Sequence, residues 1–226
     1  CLDQADARVA QVAAHLPWYG PTHSPHDVPR FYDISGITED APTFQLVVDL
    51  FVARYRAMGD KGPTHVAGFD ARGFVFGPPI ALALGIPFVM IRKKGKLPGV
   101  LVSSGEYTTE YSKDETVMRL GAVKAGDRVL LVDDLIATGG TALAGFDLVD
   151  ALGASVCEFA AMVQIPFLEG VAKIHAYKDG KFKDVPVFTM VDDTTIGDKE
   201  DATPPEGTPR VVAAADAAAL AAKLAK

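Results

Sequence analysis

Five short runs in this chain lack the alternation of apolar and polar residues that a half-wet strand requires. They are HVAGF (65–69), IPFVMI (86–91), RVLLV (128–132), SVCEFAAMVQI (155–165) and VPVFTM (185–190). Strands that read this way are covered on both faces, which is the signature of a parallel sheet between helix layers. A weaker run, ETVMRL (115–120), joins them. Helical patterns fall between the strands. GPPIALALG (77–85) is expected to carry its proline pair in a first turn, where no N–H is needed. Residues 141–152 form another helix, stopped by Gly153. Strands alternating with helices predict an α/β fold, doubly wound, with a mainly parallel sheet and flanking helices.

Two helices precede the first strand. One spans 3–16, with Val9, Val12, Ala13 and Leu16 on one face; the other spans 42–58, with Phe44, Val47, Val48, Phe51 and Tyr55 as its stripe. Between them prolines at 17, 21, 25 and 29 impose an extended loop. The 226 residues suit one domain with an appendage. The expected divisions are an N-terminal segment (1–36), a main domain (37–196) and a C-terminal part (197–226). Within the last, 197–210 is rich in Asp, Glu, Pro, Gly and Thr and reads as a linker; the Ala-rich 211–226 reads as a docked helical tail.

Composition narrows the function. Apolar residues make up 49% of the chain, enough for a large core, yet no run approaches the roughly 18 residues of a membrane span, so no membrane partner is expected. Cys1 and Cys157 lie far apart, and no secretory leader is read, so a reduced, cytoplasmic protein is expected. The net charge of −7 argues against a nucleic-acid partner.

The chemistry concentrates in VLLVDDLIATGGTALAG (129–145). Ligands of open α/β sheets bind beyond the carboxyl ends of strands, and Asp133 and Asp134 end a buried strand. The loop that follows, through Ala137, Thr138, Gly139, Gly140 and Thr141, runs into a helix. Its glycines permit backbone conformations closed to other residues, and successive N–H groups at a helix start form an anion nest. No lysine follows the glycines, so this is not a P-loop, and the chain holds no GxGxxG dinucleotide fingerprint. Two carboxylates beside a phosphate cradle suit a ribose 5-phosphate, with the acids taking hydroxyl hydrogen bonds or a hydrated metal ion. The plainer alternative is a βα turn with two solvated acids and a helix cap.

Three other stretches carry charge or loop character. Asp70-Ala71-Arg72-Gly73 is a tight turn after a strand, where an arginine can hold a diphosphate through charge-assisted hydrogen bonds. Arg92, Lys93, Lys94 and Lys96 place four cations in five positions of an acidic chain, which focuses field on an anion. Residues 99–114 show no sustained periodicity and read as a long functional loop.

VLLVDDLIATGGTA resembles the phosphoribosyl-diphosphate (PRPP) motif of type I phosphoribosyltransferases. GFDARGFVFGPPIA (68–81), IRKKGKLPG (91–99) and EYTTEY (106–111) are similar to the adenine-using members, over about residues 28–165. The resemblance implies the type I phosphoribosyltransferase fold and a purine-salvage reaction with Mg²⁺, in which adenine and PRPP give AMP and pyrophosphate. It implies that Asp133 and Asp134 hold the ribose and metal, mainly through water or ribose hydroxyls, while the loop from Ala137 to Thr141 holds the 5-phosphate. Asp70, Ala71, Arg72, Arg92 and Lys96 would bind pyrophosphate, with a cis peptide near Asp70-Ala71. Residues 99–114 would be a lid, in which Glu110 manages the proton at adenine N7 and Tyr111 covers the site. The segment around Arg30 and Phe31 would cover the base. Tyr32 stands where some members have arginine. Val163 and Ile165 form either an apolar wall for the base or core packing. A homodimer is implied, in which a cation can reach the neighbouring site. The alternatives are a different purine base, or a non-catalytic PRPP-sensing regulator.

Overall fold

The computed structural model describes residues 6–108 and 113–225. Helix α1 (Ala7–Ala13) starts where the Asp6 carboxylate accepts the Arg8 N–H. Two short strands, β1 (Trp18–Tyr19) and β2 (Phe31–Tyr32), then pair antiparallel, with Trp18 opposite Tyr32 and Tyr19 opposite Phe31. The stretch with prolines at 17, 21, 25 and 29 is expected as extended loop; it holds β1, and this ribbon is the difference. Helices α2 (Ser35–Thr38) and α3 (Ala41–Ala57) follow, α3 capped by the Asp40 carboxylate on the Thr43 N–H.

The alternating part begins with β3 (His65–Phe69), α4 (Gly73–Leu84) and β4 (Phe88–Lys93). Then come β5 (Leu101–Thr108), β6 (Lys113–Arg119), β7 (Arg128–Val132), β8 (Leu135–Ile136) and α5 (Gly140–Ala151). Strand β9 (Ser155–Gln164), helix α6 (Gly170–Gly180), strand β10 (Val187–Asp192) and helix α7 (Ala217–Leu224) complete the order. The central sheet runs β10-β9-β7-β3-β4-β6-β5, and short β8 pairs with β9. Its first five strands are parallel, whereas β6 is antiparallel to both β4 and β5.

The missing alternation in the strands has a direct cause. Val66, Leu130 and Val132 point into a core shared with α1, α3 and α4, while Ala67, Val129 and Leu131 point into a second core shared with α5 and α6. The apolar positions of β3 and β7 thus meet a helix layer on both faces of the sheet. The one acid inside an apolar run, Glu158, is fully buried and satisfied: Arg54 donates at 2.7 and 2.6 Å and the Tyr55 hydroxyl at 2.8 Å.

Other expectations need correcting. Residues 101–108 are strand, not loop, and pair with β6 across a bulge between Ser103 and Glu106. The serines and Gly105 that hide the strand period sit at this bulge, where the Ser103 hydroxyl donates to Glu115 and Ser104 meets Thr116. Helix α4 starts at Gly73, four residues before the expected start, which puts Pro78 and Pro79 inside the helix. There they remove two ladder hydrogen bonds. At this start the backbone passes close to β7, where a Cβ on Gly73 would lie 2.4 Å from the Val132 carbonyl. Helix α6 was not foreseen; its apolar face is short and the backbone leaves helical geometry at Tyr177–Asp179. At the C-terminus α7 forms, but buries none of its residues. No described helix is long and apolar enough to cross a membrane.

Candidate active site

A cavity of about 290 Å³ opens at the carboxyl ends of β3 and β7. On its floor the chain leaves β7 with the Asp133 N–H donating to the Ala160 carbonyl at 3.0 Å. The next N–H, of Asp134, donates to Asp133 Oδ1 at 3.0 Å. Asp134 is only 3% exposed. Its Oδ2 faces Arg72 Nε at 3.0 Å as an ion pair, but the approach is too poorly directed to count as a hydrogen bond. Asp134 is buried and Asp133 is half-buried. Burial raises Asp133 well above the usual carboxyl range, and the neighbouring Asp134 charge adds to it. Burial raises Asp134 too, against the opposing pull of Arg72. Two desolvated acids backed by one arginine are ready to receive donors or positive charge.

The next wall is the loop into α5. Gly139 is the N-cap, in the left-handed region at φ 80°, and no side chain caps the helix. The first-turn N–H groups of a helix have no intrahelical partner. Here Thr138 to Thr141 line the cavity, so a ligand anion can meet those groups and the positive helix end. The loop is braced from behind by backbone. A Cβ on Gly170, at the start of α6, would lie 2.2 Å from the Ala137 carbonyl. Only glycine permits that approach.

The third wall is the turn after β3. The Asp70–Ala71 peptide is cis. Arg92 Nε donates to Asp70 Oδ2 at 2.9 Å, and Arg92 also donates to the Lys96 carbonyl at 3.2 Å. Arg92 therefore stands one layer behind Asp70, and the Lys96 side chain is exposed; neither lines this cavity, although Asp70, Ala71 and Arg72 do. The cation of that run that does line it is Lys93. The signal was available: residues two apart share a strand face, so Lys93 lies on the side of buried Ile91.

The last wall is the N-terminal ribbon. Arg30, Phe31 and Tyr32 line the cavity with Ile165. The Arg72 guanidinium lies over the Phe31 ring at 5.5 Å, and the His26 ring lies tilted against Phe31 with centroids 6.2 Å apart. Val163 is core instead, 1% exposed. His26, Thr116 and Phe159 also line the cavity and were not singled out from sequence; nothing local in their stretches marks them. Glu110 and Tyr111 lie outside the described residues.

Among the described residues no three His, Cys, Asp or Glu side chains converge as a metal cage. The acidic pair alone supplies hard oxygens, and the unfilled hydrogen-bonding capacity of Asp134 Oδ2 fits a cation that takes its remaining ligands from substrate and water, as Mg²⁺ does.

The phosphoribosyl transferase domain model matches residues 34–202. Adenine phosphoribosyltransferase 1 of Triticum aestivum is 45% identical over 187 residues, covering 83% of this chain and 96% of that protein. The chain belongs to the adenine phosphoribosyltransferase family. A Pasteurella multocida adenine phosphoribosyltransferase is 43% identical over 172 residues, 76% of this chain and 89% of its own. Among solved structures, the adenine phosphoribosyl transferase of Trypanosoma brucei, in complex with AMP, pyrophosphate and ribose-5-phosphate, superposes with a TM-score of 0.92 at 40% identity, covering 96% of this chain and 93% of the other. The Leishmania donovani family member does so with 0.91 at 41%, covering 97% and 94%.

Proposed function

We infer that this chain transfers the 5-phosphoribosyl group of PRPP to adenine, releasing AMP and pyrophosphate, in purine salvage. The observation that carries this reading is the meeting of a desolvated Asp133–Asp134 pair, an uncapped helix start and the Arg72 turn on one cavity. A family relative with the same fold was solved with both products of that reaction.

In this reading the backbone from Ala137 to Thr141 takes the 5-phosphate. Asp133 and Asp134 accept hydrogen bonds from the 2- and 3-hydroxyls, and their charge favours the positive character that grows at C1 as the anomeric bond breaks. Arg72, with the Asp70–Ala71 backbone, takes the departing pyrophosphate. Arg92 holds Asp70 in place, and it and Lys96 extend the basic field; a second copy of the chain is proposed to share such cations. Exposed Leu82, Met90, Val100 and Leu120 leave apolar surface on α4, β4 and near the β5–β6 hairpin, which supports a homodimer. Arg30 main chain and Phe31, with Ile165 and Tyr111, frame the adenine. Glu110 manages the N7 proton as N9 attacks C1. Mg²⁺, held by Asp133 and Asp134 mainly through water and ribose hydroxyls, would offset charge on the diphosphate. A reducing cytoplasm suits Cys157, whose thiol burial pushes up to about 12 and so keeps it unreactive.

AMP formation from adenine, PRPP and Mg²⁺ is the test, with hypoxanthine and guanine in parallel. Turnover with adenine alone is expected. Turnover with another base instead would reassign the substrate, and PRPP binding without turnover on any base would make the chain a sensor.

A further inference from the structure

Residues 197–203 do not behave as a spacer. They run back across the N-terminal ribbon and tie it at four points. The Trp18 indole N–H donates to the Gly197 carbonyl at 3.2 Å, and the Ala202 N–H donates to the Trp18 carbonyl at 2.9 Å. The Gly20 N–H donates to Thr203 Oγ1 at 2.8 Å. Asp198 forms an ion pair with Arg30, whose guanidinium also lies over the Trp18 ring at 4.5 Å. Trp18 in turn pairs with Tyr32, and Tyr19 with Phe31.

These contacts form one mechanical chain: strap, β1, β2, cavity wall. A two-stranded ribbon of two residues per strand is not stable alone. Its own register supplies few bonds, and β1 and β2 are not strands of the central sheet. Tyr32 anchors β2 in the core, where Trp18 also packs, and the strap adds the long-range ties that hold β1 and Arg30 in place on this side. The side facing Arg72 and the phosphate loop has no such dependence, because its parts belong to the central sheet and α5.

We propose that the strap is a positioning element for the nucleobase wall, with Asp198 and Thr203 acting through Arg30 and β1 rather than by touching substrate. This rests on the adenine reading of the site. Loosening the strap lowers the fraction of molecules whose wall is in place, and apparent affinity falls by that fraction. The loss falls on adenine and spares PRPP.

The experiment uses the full chain with Asp198→Ala and Thr203→Ala combined, and Asp198→Glu as the conservative partner. Steady-state kinetics would give an adenine KM raised roughly 5–10-fold in the double variant, with kcat and the PRPP KM within about twofold of the parent, if the competent fraction drops to a fifth or a tenth. Asp198→Glu should stay near the parent. Trp18 is the chain's single tryptophan, so its emission reports strap release directly; it should shift to the red in the double variant. An unchanged adenine KM overturns the proposal, and so does an equal rise in both KM values with a lower melting temperature, which marks general loosening. A parent enzyme that makes no AMP defeats the adenine reading instead, whatever the variants do.

Discussion

The two ends of the cavity are built differently. The phosphate end is backbone held by backbone: Gly139 in the left-handed region, Gly170 pressed on the Ala137 carbonyl, and strand β7 locked between β3 and β9. The base end is a small ribbon tied to distant sequence mainly through side chains, Trp18, Arg30, Asp198 and Thr203, with one backbone bond from Ala202. Backbone bracing gives a fixed anion site with no rotamer entropy to lose. Side-chain bracing gives a wall whose position depends on contacts each worth about 1 kcal/mol. A fixed cradle and a tunable wall suit a reaction in which one substrate's phosphate anchors the complex and the other substrate is a flat, neutral ring.

The largest effect should come from the acids between the two ends. Asp133→Asn removes a charge placed where positive character develops, so kcat/KM should fall by about 10²–10³-fold. The same change should stabilise the ligand-free protein at neutral pH. The folded state raises both carboxyl groups, so it holds protons that the unfolded chain has released. Stability then falls as pH climbs from the ordinary carboxyl range through the raised values. Above that window the ionised pair costs stability in full, and Asn relieves part of it. Each kcal/mol of relief raises the melting temperature by about 2–4 °C. Calorimetry at pH 5 and pH 7.5 decides it: a variant that melts lower than the parent at pH 7.5 removes the argument that the acids are destabilising in the empty site.

The next effect breaks the backbone brace. Gly170→Ala forces a Cβ to within 2.2 Å of a carbonyl oxygen, so the loop or α6 must shift. A cost of about 1–3 kcal/mol in stability and a rise of tenfold or more in the PRPP KM are expected, because a shift on the order of 1 Å spoils a positioned site. The adenine KM should move little. If adenine suffers more than PRPP, the phosphate end is not the rigid one.

How much of this was legible follows the same division. The phosphate end was readable because its parts are contiguous: strand, Asp133-Asp134, Thr138 to Thr141 and helix lie within seventeen residues, and each residue type answers a local demand. The parallel strands were readable because burial on both faces removes alternation. The β5 strand was hidden by Ser103, Ser104 and Gly105, whose polar groups are satisfied across the hairpin by partners that no local pattern reveals. The strap was hidden for a stronger reason. Residues 197–203 have the composition of a spacer, and their partners lie about 180 positions away, with Trp18 to Gly197 separated by 179. Lys93 was readable in principle from the two-residue period, but a run of four cations gives each the same apparent claim.

The smallest effect in this series tests the base wall itself. Phe31 is half-buried, with Arg72 on one face and His26 packed against it. Phe31→Ala removes a stacking surface worth about 1–3 kcal/mol per base. The adenine KM should rise by roughly one order of magnitude, while the PRPP KM and the melting temperature change little, because the ring contributes to the cavity rather than to either core cluster. Phe31→Tyr should keep most of the affinity. The informative comparison is with Gly170→Ala: two substitutions on opposite walls of one cavity, each expected to raise the KM of a different substrate. Should both raise both constants alike, the cavity responds as one body, and the distinction between a fixed cradle and a tunable wall is wrong.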